Sequence, residues 1–277
     1  MFDPKILLDF PTRFEDINYP TKNVNYYNEN EESRSLFESL LESSNHRCMY
    51  CGTDLSGEKT YGIDGDYQKE HTIEKSQYSG DGSNFLERCK FNFSVACNKC
   101  NNYKKYKVKC IGKEFSKLDY NYCTDENCLS HCFEIEKALN EYLNINNIII
   151  QPYGTYHIQT GFPLEIQYDV LKKRFIPSEK FKYFKETKES IKKHIEKFKL
   201  NKRNLKILDQ IITDLYNDMK QNKEFRIFTK KSLLNPNNNS HSNVLDDMFI
   251  DYLNNLSERQ KRMTVRRIFR EYILMNN

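Results

Sequence analysis

The chain has 277 residues with 43 basic against 39 acidic side chains, a net charge of +4, so a polyanionic partner is permitted but any basic surface must come from local clustering. With 38% hydrophobic and 13% aromatic residues it is too rich in core formers to be disordered, although its mean hydropathy of −0.82 is polar for a globular protein. No stretch approaches the roughly 18 consecutive apolar residues of a membrane span, and Met1 to Phe10 lack a basic region followed by a long apolar one, so the expectation is a cytoplasmic protein with no membrane association.

Four compositional segments follow in order. Residues 1–45 form an acidic, Asn-rich N-terminal arm with one expected helix from Ser33 to Ser43, where Leu36, Phe37, Leu40 and Leu41 fall at helical spacing. Residues 46–110 hold two Cys-x-x-Cys pairs, a Gly-rich stretch at 79–84 and a lysine cluster. Residues 111–150 carry the last cysteines and an amphipathic run, Phe133 to Leu143, that reads as a helix. In residues 151–277, short apolar runs at 154–161 and 164–168 predict a small sheet. Beyond them Ile191, Ile195, Phe198 and Leu200, then Leu205, Leu208, Ile211, Ile212, Leu215 and Met219, recur as helical core stripes. Residues 235–240 read as a loop, and 244–274 as one or two helices whose basic run, Arg259 to Arg267, is either a solvated face or a polyanion contact.

The nine cysteines crowd between Cys48 and Cys132, an odd number that suits a metal site better than a disulfide framework in a reducing compartment. Cys48 and Cys51 form one pair, Cys97 and Cys100 the other. A gap of two residues lets both thiolates of one tight turn reach a single ion, and two such turns complete a tetrahedral structural zinc site. Gly52 follows the first pair and frees the backbone to curl around the metal.

Between the pairs, Glu70-His71 follows a strand-like run, and Asn92 is followed after eight residues by Asn101, one position beyond Cys100. This order resembles the HNH nuclease motif in its zinc-stapled form. The resemblance covers residues 48 to about 107 and implies an α+β chain, with a ββα-metal nuclease core set between the N-terminal arm and a mainly helical C-terminal half. It implies His71 as the general base that takes a proton from water, a role suited to a side chain with an unperturbed pKa near ~6.5. It implies Glu70 and Asn101 as ligands of a catalytic magnesium or manganese ion, and Asn92 as the brace of the loop that carries the base. Lys75, Lys104 and Lys105 are expected to contact phosphates. Two departures stand out: the acidic residue is Glu rather than Asp, and Glu74 stands where many members have Pro.

The activity so implied is hydrolysis of phosphodiester bonds in DNA, with RNA open as an alternative substrate because it carries the same scissile group. A zinc ribbon that binds nucleic acid or a partner without cutting would account for the four cysteines, but not for Glu70, Asn92 and Asn101. More loosely, the run from His194 to Leu205 is similar to the tail of the PtuB-like HNH nucleases that accompany ATPases in Septu anti-phage defence systems. That likeness implies a partner ATPase, with the C-terminal half as its docking region. Cys123, Cys128, His131 and Cys132, with Cys110, could hold a second metal, or the cysteines among them are plain thiols, and Cys89 reads as a free thiol.

Overall fold

The computed structural model describes residues 5–20, 24, 26, 28, 30–55, 67–74, 89–105, 133–203, 205–221 and 243–276. Within them the chain is a mixed α+β protein with two small antiparallel sheets. Strand β1 spans Leu7–Phe10, helix α1 Glu31–Ser43, β2 Tyr67–His71, β3 Phe93–Cys97, α2 Asn98–Lys105 and α3 Phe133–Asn146. After these come β4 at Ile166–Asp169, β5 at Arg174–Pro177, α4 at Lys185–Lys197, α5 at Lys206–Lys220, α6 at Val244–Asn254 and α7 at Glu258–Asn276.

Helix α1 begins two residues before the expected start because Asn30 caps it, its side chain accepting from the Ser33 amide at 2.7 Å. Its apolar stripe, Leu36, Phe37 and Leu40, is buried and lies on β3, where the Phe37 and Phe93 rings meet edge to face at 5.6 Å. The expected helix from Phe133 extends to Asn146. Of the expected C-terminal stripes, Ile191 and Ile195 are buried on α4, Leu208, Ile211, Ile212 and Leu215 on α5, and Phe198 and Leu200 between them, whereas Leu205 and Met219 are half-buried; the final segment divides into α6 and α7. On α7, Val265 and Ile268 are buried while Arg259 and Arg266 are exposed, so the basic run lies on an amphipathic helix. The loop at 235–240, the Gly-rich stretch at 79–84, Lys75, and the cysteines from Cys110 to Cys132 with His131 lie outside the described residues.

The sheet expected after residue 150 forms differently. Residues 154–161 make a turn, closed by a Tyr156–Pro163 bridge and by the His157 amide on the Phe162 carbonyl at 2.9 Å, and the strands are β4 and β5. Their third partner is β1, which pairs antiparallel with β4 from Leu7 opposite Asp169 to Phe10 opposite Ile166. The first residues of the N-terminal arm are thereby built into the C-terminal half, with α6 packed on β1. The second sheet is β2 against β3, in register from Tyr67 opposite Cys97 to His71 opposite Phe93. Helix α2 leaves β3 directly and packs on both strands, giving a strand–strand–helix unit. Among the described residues, no helix is long and apolar enough to cross a membrane.

Candidate metal centre and active site

The first cysteine pair sits on a tight turn. The Cys51 and Gly52 amides both return to the Cys48 carbonyl, at 3.3 and 2.8 Å, and the Cys48 amide meets the Thr53 carbonyl at 2.8 Å. Gly52 has φ of +70°, and a Cβ there would lie 2.4 Å from Val244 Cγ1. That close approach exists because Asn243 Nδ2 donates to the Cys51 carbonyl at 2.9 Å and the Val244 amide to the Gly52 carbonyl at 2.8 Å, seating the start of α6 on the turn. The Met49 amide donates to Val95 of β3 at 3.1 Å, which brings the turn to the second pair, Cys97 at the end of β3 and Cys100 in the first turn of α2.

All four sulfurs lie within 4.8 Å of one another, and Cys51 Sγ stands 3.8 Å from Cys97 Sγ. Four thiolates held tetrahedrally at about 2.3 Å from zinc are about 3.8 Å apart, whereas a disulfide needs roughly 2 Å. The four thiols therefore fit one structural metal ion such as zinc. Left to themselves they do not ionise alike: burial pushes Cys48 and Cys100 up, whereas hydrogen bonds from Cys100 and then Cys48 pull Cys51 and Cys97 down. A divalent ion removes the conflict by favouring the thiolate at every position. Cys89 is buried, unlinked and apart from this cluster.

Arg203, which the sequence reading did not single out, supplies charge from the C-terminal half. Its Nη2 donates to Cys100 Sγ at 2.9 Å and to the Phe198 carbonyl at 3.2 Å. Burial works against the guanidinium charge, yet the thiols around it raise its pKa above the ordinary value. Four thiolates on a divalent ion carry two net negative charges, and Arg203 offsets one of them. Its neighbour Lys199 stands 4.4 Å from the centroid of the Tyr103 ring on α2, a second tie between the two halves.

The residues matched to the nuclease motif share the strand–strand–helix unit. His71 ends β2 opposite Phe93 and is 4% exposed, its ring 4.5 Å from the Phe93 ring. Asn92 is fully buried and clasps the turn after His71 through both amide atoms: its Oδ1 accepts from the Ile73 amide at 2.8 Å and its Nδ2 donates to the Ile73 carbonyl at 3.3 Å. The Thr72 amide adds a bond to the Asn92 carbonyl at 2.7 Å. Asn92 and the turn after His71 are thus tied by three hydrogen bonds. Asn101 is buried on α2, three residues before Lys104 and so on the same side of the helix.

Glu70 is 2% exposed and its carboxylate is fully engaged. One oxygen accepts from Tyr50 Oη at 2.6 Å and from the Ser94 hydroxyl, and the other pairs with the Lys104 ammonium. Lys104, expected to face phosphate, is instead completely buried and turned inward, where it also meets Glu74 Oε1 at 3.2 Å and the His71 carbonyl. An alkyl ammonium thus occupies an oxygen-lined pocket made by two carboxylates and a main-chain carbonyl. That donor set is one a hard divalent ion takes, and a positive charge already stands in it. Glu74, noted in the sequence only as a departure, is part of the pocket. Lys105 ends α2.

No family model matches the chain, and no curated protein or solved structure matches it.

Proposed function

We propose that residues 46–110 form the core of a metal-dependent endonuclease of the HNH kind that hydrolyses phosphodiester bonds of DNA. The observation that carries this reading is Asn92, whose two amide atoms clasp the turn that follows His71, inside a strand–strand–helix unit stapled by four sulfurs. A buried Asn with both ends satisfied by one residue is a device for fixing a loop, and the loop it fixes begins at the proposed base. The Phe93 ring holds the imidazole from one side.

In this reading His71 takes the proton from a water as the water attacks phosphorus in line, and positioning of that water by the fixed loop supplies much of the acceleration. Glu70 and Asn101 hold a magnesium or manganese ion, which when bound neutralises charge on the phosphate and the leaving 3′ oxygen. Tyr50 and Ser94 orient the Glu70 carboxylate by donating to it. Lys104 occupies the Glu70 pocket as a resident cation, and its ammonium must withdraw for a divalent ion to reach the carboxylates. By the looser Septu-like resemblance, a partner ATPase engages the C-terminal half and controls the nuclease.

The test is cleavage of supercoiled plasmid and of total RNA by zinc-loaded protein with magnesium or manganese, beside the same protein with no divalent ion added. Plasmid cutting that requires the added ion supports the proposal. Cutting of RNA alone moves the substrate, and ion-independent inertness with intact zinc, persisting with a cognate ATPase present, leaves a non-catalytic zinc ribbon.

A further inference from the structure

The balanced charge of the chain conceals one strongly basic stretch. Residues 172–199 hold eleven basic side chains against four acidic ones, which leaves 32 basic against 35 acidic residues for all the rest. The stretch folds as β5, the turn after it and α4, and between them runs a cleft of about 370 Å³. Arg174, Lys182, Lys188 and Lys192 line it, with Glu179 and Glu196 as its acidic members. Glu179 is already paired with Lys5, and among the described residues Arg174, Lys182 and Lys188 have no carboxylate partner. Four cations converging on one cleft repel one another and are most stable with an anion between them.

The shape of the cleft excludes the commonest alternative, addition of a peptide strand to the free edge of β5. Asn201 already satisfies that edge, its Oδ1 accepting from the Phe175 amide at 2.6 Å and its Nδ2 donating to the Phe175 carbonyl at 3.4 Å, and Pro177 has no amide proton to offer. The wall presents side-chain cations, not backbone. Next in the chain to Lys182 of the lining, Tyr183 is 83% exposed, with the Lys182 ammonium 4.7 Å from its ring centroid and Phe184, also exposed, following it. An aromatic ring left in water next to a row of cations is the pairing used to hold a nucleic-acid strand, the cations taking phosphates and the ring a base.

We propose that the cleft between β5 and α4 binds single-stranded nucleic acid, with Arg174, Lys182, Lys188 and Lys192 on successive phosphates and Tyr183 stacked on a base. The surface belongs to the C-terminal half and stands independently of any cleavage at His71.

The experiment is fluorescence anisotropy of a labelled single-stranded oligonucleotide with full-length, zinc-loaded protein carrying His71→Ala, without magnesium. Four phosphate contacts give a slope of log K on log salt near −2.8, a loss of affinity of about 50-fold between 50 and 200 mM salt. Replacing Arg174, Lys182, Lys188 and Lys192 together by Gln flattens that dependence, and Tyr183→Ala weakens binding by roughly 5-fold or more at constant slope. Unchanged affinity and slope in the four-fold Gln variant, with an unchanged melting temperature, overturns the proposal. Equal displacement by poly-glutamate also overturns it and points to an acidic protein partner. Because the assay reads binding in a cleavage-deficient chain, failure of the nuclease reading leaves its outcome unaffected.

Discussion

Replacing Lys104 by Met removes the charge from the Glu70 pocket while keeping most of the side-chain volume. Glu70 and Lys104 are 2% and 0% exposed, so neither can exchange its partner for bulk water. Breaking a buried pair by deleting one partner typically costs about 3–5 kcal/mol, because the other charge stays behind uncompensated. Tyr50 and Ser94 still donate to the Glu70 carboxylate, which places the expected loss at the lower end, about 3 kcal/mol. In a domain of this size that corresponds to a fall in melting temperature of roughly 6–12 °C. Adding Glu70→Gln to Lys104→Met removes the more deeply buried of the two stranded charges, leaving Glu74, and should recover part of the loss. Met leaves two carboxylates around the space the ammonium filled, so manganese at about 1,000 times its dissociation constant should return about 4 kcal/mol to the variant and much less to the wild type. The assay is thermal and urea unfolding of zinc-loaded protein with and without manganese. A Lys104→Met protein that melts within a degree of the wild type, and responds to manganese no more than it does, would refute the reasoning.

Arg203→Met should loosen the sulfur-bound metal without unfolding the chain, because it removes the donor to Cys100 but no ligand; release of zinc to a chromogenic chelator is expected to be 10–100-fold more favourable. Gly52→Ala meets both a φ of +70° and the Val244 side chain at 2.4 Å, and should cost on the order of 1–3 kcal/mol by urea unfolding, relieved in part by Val244→Ala. Burial holds His194 down to about 3 from its ordinary 6.5, its Nδ1 accepting from the Ile149 amide, so the unfolded chain binds more protons between those values. That contribution is fully present above pH 6.5 and is lost at about 1.4 kcal/mol per pH unit as pH falls. Burial raises Asp246 from 3.8 to about 6, which has the opposite sign and offsets His194 between pH 6 and 4. Asp246→Asn should therefore lose stability more steeply than wild type across that window, by about 1 kcal/mol per unit in urea unfolding, whereas parallel curves would deny the assignment.

The parts of this arrangement that were legible in the sequence are those written in local spacing. Two residues between cysteines announce a turn, Gly after the second cysteine announces a positive φ, and α1, α4 and α5 announce themselves by their buried stripes. Asn92 drew notice only through its order relative to His71 and the cysteines, and its two hydrogen bonds to Ile73 could not be read from that order. What stayed hidden depends on residues far apart in the chain. Strand β1 finds its partner at Ile166–Asp169, and Arg203 reaches back to Cys100, with no spacing rule to signal either contact. Lys104 was misread for a different reason: a lysine on a short polar helix is ordinarily solvated, and only the placement of α2 over β2 carries this one into the Glu70 and Glu74 carboxylates. At 154–161 a short apolar run bounded by glycines suggests a strand, but Gly161, at φ of +68°, turns the chain there instead.

The most direct test of His71 as the base is chemical rescue. Plasmid cleavage in manganese is compared for wild type, His71→Ala, and His71→Ala supplemented with imidazole, with melting temperature recorded for each because His71 packs against Phe93. The account predicts cutting by the wild type, a loss of 100-fold or more in the variant on the order expected for a general base, and partial return of activity with imidazole rising with pH through the range where imidazole deprotonates. Equal cutting by His71→Ala, or none by any of the three with and without an ATPase partner, would contradict it.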